Sequence, residues 1–121
     1  MPERGDNRVT ICAGGRGRRC SASSGAVGAL GDLRILDFSR ILAGPFATMM
    51  LADLGADVVK VERPETGDDT RAWGPPYDDR GNATYFQAVN RNKRSLVLDL
   101  TVPVDLERAR RLARETDVLV A

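Results

Sequence analysis

The chain has 121 residues, enough for one modest domain, and its 42% hydrophobic and 29% charged content is that of a globular protein with a core. A formal net charge of +1 argues against a polyanion-binding surface spread over the whole molecule, and no run of about 18 apolar residues is present to cross a membrane. With no histidine and two cysteines, Cys12 and Cys20, the sequence makes a poor metal site, and both cysteines read as incidental thiols of a reducing cytoplasm.

Charge is unevenly placed. Residues 1–28 hold five arginines against Glu3 and Asp6, a balance of +3, and the remaining 13 basic and 15 acidic residues sum to −2. This head is rich in Arg, Gly and Ser, has no period of either kind, and is expected to be disordered. A basic arm for RNA or DNA is disfavoured, because no aromatic side chains are interleaved to stack on bases. Nor does it have the compact apolar stretch of a secretory signal.

Order is expected from near Leu33, in a folded segment spanning residues 29–121. The run LRILDF is short and apolar and reads as a buried strand. Pro45 then stands where a first helical turn tolerates it, and Phe46, Met49, Met50, Leu51 and Leu54 return at helical spacing. Gly55 reads as the left-handed stop, and ADVVKVER as a second strand. Strand, helix and strand in about thirty residues make a βαβ unit on a parallel sheet.

Residues 64–90 read as loop by composition, with three prolines and three glycines. Within it Asp68-Asp69 is a weak metal site and is assigned to ordering the loop with Thr70 and Arg71. Trp73 and Tyr77 fit a packed loop and a pocket wall equally well. RSLVLDL restores a strand, and Thr101 before Pro103 marks a cap region. Leu106, Ala109, Leu112 and Ala113 then give the next helix one apolar face against its arginines, and DVLVA starts a fourth strand. The fold class is therefore α/β, with Rossmann-like units.

In an open parallel sheet, ligands gather at the carboxyl ends of the strands. The corner Leu42-Ala43-Gly44-Pro45 lies there, and Gly44 is expected to let another group approach its backbone. A plain tight turn explains the same residues. The corner carries neither standard nucleotide fingerprint. Arg63 ends the second strand, and Arg91, Lys93 and Arg94 precede the third; such groups match phosphate oxygens.

The segments ILDFSRILAGPFATMMLADLGADVVKVERPETGDDTRAWGPPY, ATYFQAVNRNKRSLVLDL and TDVLV, in collinear order over residues 31–120, resemble the opening of the family III CoA-transferases. That group includes formyl-CoA and carnitine CoA-transferases and the related alpha-methylacyl-CoA racemase. The resemblance implies an incomplete large domain of that fold, a cytoplasmic enzyme and an interlocked homodimer. Acyl-CoA and a carboxylic acid would be its substrates, with no permanently bound cofactor, no nucleic acid and no membrane. By carry-over, Ile41, Leu42 and Ala43 lie beside CoA, Arg63 contacts its adenosine or phosphate portion, and Leu98, Asp99, Leu100 and Thr101 line the adenine pocket. Arg91, Lys93 and Arg94 would be further phosphate neighbours.

The reaction implied by the resemblance passes through an aspartyl anhydride and then an enzyme-bound thioester. Its nucleophile is placed beyond residue 121, so none of Asp37, Asp53, Asp57, Asp68, Asp69 or Asp99 takes that role. The chain is accordingly expected to be an amino-terminal CoA-binding fragment, inactive alone. A racemase fragment and a non-catalytic CoA-binding module are the alternatives.

Overall fold

The computed structural model describes residues 28–121. The expected disordered head, its basic arm and both cysteines fall on the preceding residues and lie outside the described ones. The elements are β1 (Arg34–Asp37), α1 (Ala43–Asp53), β2 (Asp57–Glu62), a 3-10 turn (Asp69–Ala72), α2 (Thr84–Asn90), β3 (Arg94–Val97), α3 (Pro103–Arg114) and β4 (Val118–Val120). The four strands form one parallel sheet in the order β3-β2-β1-β4. The order reverses between β1 and β4, the arrangement of a doubly wound α/β sheet.

Successive strand residues face opposite sides, so β1 feeds two cores at once. Ile35 packs with Val58, Ala52 and Ala56 on the α1 side. Leu36 packs with Val61, Leu98 and Ala109 on the α3 side, flanked by Leu112 and Ala113. Helices thus cover both faces, which is why the strands are short and apolar.

Helix α1 carries Pro45 in its first turn, where an N–H has no intrahelical acceptor. It ends at Gly55, whose φ of +101° suits glycine and whose N–H donates to Ala52 O. The buried face is Pro45, Thr48, Met49 and Ala52. Phe46, Met50 and Leu54, expected on that stripe, instead lie roughly 100–170° round the helix axis from it and remain half exposed.

Two expectations change. Residues 64–90 hold the 3-10 turn and α2, not a structureless loop. Asp68 caps the turn, Oδ1 accepting from Thr70 N (3.0 Å) and Thr70 Oγ1 (2.8 Å). Arg71 instead reaches back to β2, donating to both Glu62 oxygens (2.7 and 2.8 Å) with its guanidinium 3.8 Å above the Phe86 ring. Trp73 and Tyr77 are half exposed, and Trp73 packs against Tyr85 at 5.4 Å. The second change is at α3, where Val102 is the cap residue and Pro103 follows; Thr101 donates to Asp99 Oδ1 instead.

Candidate functional site

The carboxyl ends of β1, β2 and β3 open onto one cavity of about 340 Å³, within the roughly 300–1,000 Å³ of small-ligand sites. Phe38, Val61, Leu98 and Leu100 give it an apolar lining. Arg40 follows β1 and Arg63 follows β2, and both border the same space.

The loop after β2 is held by a sealed ion pair. Lys60 Nζ lies 2.8 Å from Asp68 Oδ2, and both side chains are essentially buried. The ammonium also donates to Ser39 O at 2.8 Å. Burial pushes the Asp68 carboxyl up, but the Lys60 ammonium and the Thr70 donors outweigh it and leave the group below the ordinary carboxylate range. Asp68 Oδ1 further accepts from Ile41 N at 3.4 Å, so one carboxylate ties loop, strand and corner together. Ile41 has φ +70°, a strained setting for a β-branched residue, and such strain clusters at functional sites.

Outside this buried pair, Asp69 pairs with the two arginines that border the cavity. Arg63 Nη2 meets Asp69 Oδ1 at 2.5 Å, Arg40 Nη1 meets Oδ2 at 3.6 Å, and Arg63 Nε also donates to Gly67 O at 3.2 Å. On the far rim, Asp99 Oδ1 accepts from Thr101 N (3.0 Å) and Oγ1 (2.6 Å), which hold that carboxyl below its ordinary value. Asp105 Oδ2 fixes the Asp99 N–H at 3.1 Å.

Five of the eleven residues singled out from sequence therefore converge: Arg63, Leu98, Asp99, Leu100 and Thr101. Ile41, Leu42 and Ala43 open α1 beside the cavity but do not line it, and Ile41 and Leu42 face solvent. Gly44 is not open to a ligand. A Cβ there would lie 2.2 Å from Ser39 Cβ and 2.3 Å from Ser39 Oγ, so the glycine serves the packing of the corner.

Arg91, Lys93 and Arg94 enter at the amino end of β3 and do not line the cavity. Arg91 pairs with Asp53 (2.6 Å) and Arg94 with Asp57 (2.7 Å). Lys93 is buried against Asp37 (3.2 Å), Pro45 O (2.8 Å) and Asn90 Oδ1 (2.9 Å). A smaller space of about 130 Å³ adjoins Lys93 and Arg94. Sequence reading passed over Arg40 and gave Asp69 only a loop-ordering role; the rule that selected Arg63, a cation just past a strand's carboxyl end, selects Arg40 equally.

Among the described residues no three His, Cys, Asp or Glu side chains are grouped to hold a metal, and no helix is long and apolar enough to cross a membrane. The sequence profile of CoA-transferase family III matches residues 30–121. The chain belongs to CoA-transferase family III.

It is 51% identical over 96 residues to the succinate–glutarate CoA-transferase of Agrobacterium fabrum, covering 75% of this chain and 24% of that protein. Identity to the succinyl-CoA:glutarate CoA-transferase of Mus musculus is 50% over 111 residues, covering 89% and 25%. The crystal structure of a CAIB/BAIF family protein from Brucella suis superposes with a TM-score of 0.74 at 49% identity, over 78% of this chain and 25% of that one. The chain thus spans about a quarter of the length of these relatives.

Proposed function

We propose that this chain supplies the nucleotide-binding part of a CoA-transferase that moves CoA between an acyl-CoA and a free carboxylic acid. The observation that carries the reading is the cavity across three strand ends, apolar within and bordered by the two guanidiniums of Arg40 and Arg63. An adenine ring suits the Leu98 and Leu100 surface, and phosphates suit the guanidiniums. Dicarboxylates are the acids in view, since succinate and glutarate stand in the names of relatives at about half identity.

In such a reaction a carboxylate attacks the thioester carbonyl to form an anhydride and release CoA thiolate. The thiolate then attacks the enzyme's own acyl carbon, breaking the anhydride to give an enzyme-bound thioester and the free acid of the donor. The acids that line the cavity are committed elsewhere, Glu62 to Arg71 and Ser95, Asp68 to Lys60, and Asp99 to Thr101, and Asp69 beside it pairs with two arginines. We therefore assign the nucleophile to a segment of the full-length enzyme outside this sequence, and an interlocked homodimer to that enzyme. The part played by these 121 residues is binding, with no chemistry of their own.

Calorimetric titration of the chain with CoA tests this. Saturable binding is expected, weakened about tenfold by Arg63→Ala, the loss of one charge-assisted phosphate contact, and unchanged by Arg91→Ala. Absence of heat at millimolar CoA contradicts the reading.

A further inference from the structure

We propose that Asp69 is a built-in competitor for the ligand's phosphate, occupying the anion position between Arg40 and Arg63 until a nucleotide displaces it. The inference rests on the CoA-binding reading above and goes beyond it by giving Arg40 and Asp69 a role at that site.

The two oxygens of Asp69 are divided between the two guanidiniums, Oδ1 to Arg63 and Oδ2 to Arg40. A phosphate presents the same pair of neighbouring oxygens to the same donors, with more negative charge. All three side chains are between one-third and one-half exposed, so the contact is exchangeable with solvent ions. The Lys60–Asp68 pair one residue away is sealed and is not.

A purely positioning role for Asp69 fits less well. Arg63 has a second anchor, its Nε bond to Gly67 O, that does not involve the Asp69 carboxylate. The 3-10 turn that carries Asp69 is capped by Asp68, so the backbone stays in place without the Asp69 carboxylate. What a neutral residue 69 removes is therefore mainly a negative charge at the point where the phosphate oxygens would bind. With Asp69 the three side chains sum to +1; with asparagine there they sum to +2.

The test is titration of the wild-type chain, Asp69→Asn and Arg40→Ala with CoA, dephospho-CoA and pantetheine. Asp69→Asn is expected to bind CoA about two- to fivefold tighter and Arg40→Ala weaker by a similar factor, the range of a half-exposed charge contact. Pantetheine binding should not differ among the three proteins. A gain for CoA alone assigns the clamp to the phosphomonoester, and an equal gain for dephospho-CoA assigns it to the diphosphate; either supports the proposal. Raising the salt should erase the gain of Asp69→Asn. Wild-type binding that Asp69→Asn leaves equal or weaker, with all proteins melting alike, overturns the competitor role while leaving CoA binding intact. No CoA binding by the wild type overturns both.

Discussion

Ser39 fills the space that a side chain at residue 44 would need: a Cβ on Gly44 would lie 2.2 Å from Ser39 Cβ. Ser39 is itself fixed, its N–H donating to buried Asp37 Oδ1 at 2.9 Å. Gly44→Ala should therefore cost about 1–3 kcal/mol by overpacking. Ser39→Gly should recover part of that loss in the double variant, whereas Ser39→Ala, which keeps the Cβ, should not. Urea unfolding of the set measures this. An additive double variant would show that the contact does not limit the corner.

Lys93 gives the chain an alkaline stability signature. Burial holds its ammonium below the usual lysine value, at about 8, against the opposing pull of Asp37; Lys60 pushes it further down and Asp68 pulls it back. Between that value and about 10.4 in the unfolded chain, the unfolded state binds the extra proton, so stability rises with pH across the interval. Wild type should gain on Lys93→Met by about 1 kcal/mol per pH unit from pH 8 to 9.5. Parallel pH profiles for the two proteins would contradict this.

Glu62 acts on the acid side. Burial would raise its carboxyl, but the donors from Arg71, Ser95 Oγ and Asp68 N leave it below the ordinary value. Its contribution is therefore present above the unfolded carboxylate value and is lost as pH falls through the lower folded one. Glu62→Gln, which strands a half-buried Arg71, should cost about 1–3 kcal/mol at pH 7. That difference should shrink towards pH 3 in chemical denaturation. A cost that is constant with pH would assign the effect to packing alone.

Strand β4 pairs with β1 and, among the described residues, has no second neighbour, leaving Leu119 half exposed at a sheet edge. Such an edge favours association. Sedimentation velocity should show concentration-dependent self-association, reduced by Leu119→Lys. A monomer at all concentrations would remove the edge as a liability.

The strands and α3 were legible because their signals are local. Ile35 and Leu36 sit in an apolar run, Gly55 marks a helix stop, and Ala109 and Leu112 recur at helical spacing. Helix α2 was not, since Thr84–Asn90 is short and follows a proline-rich stretch, and its anchorage depends on Arg71 lying over Phe86. Buried Lys60 was equally hidden: a lysine in VVKVE reads as a solvent-facing residue until Asp68, eight positions on, folds over it. At the site, Arg63 was singled out by its strand end, and Leu98 to Thr101 only through the family resemblance. The run from Arg91 to Arg94 does not disclose its partners in sequence, and Asp53, Asp57 and Asp37 supply them.

Amide chemical-shift mapping of the isotope-labelled chain during a CoA titration tests the proposed nucleotide site most directly. Shifts concentrated at Arg40, Arg63, Asp69 and Leu98 to Thr101, with Arg91 to Arg94 unmoved, are the expected result. Shifts centred on Arg91 to Arg94, or none at saturating CoA, would contradict it.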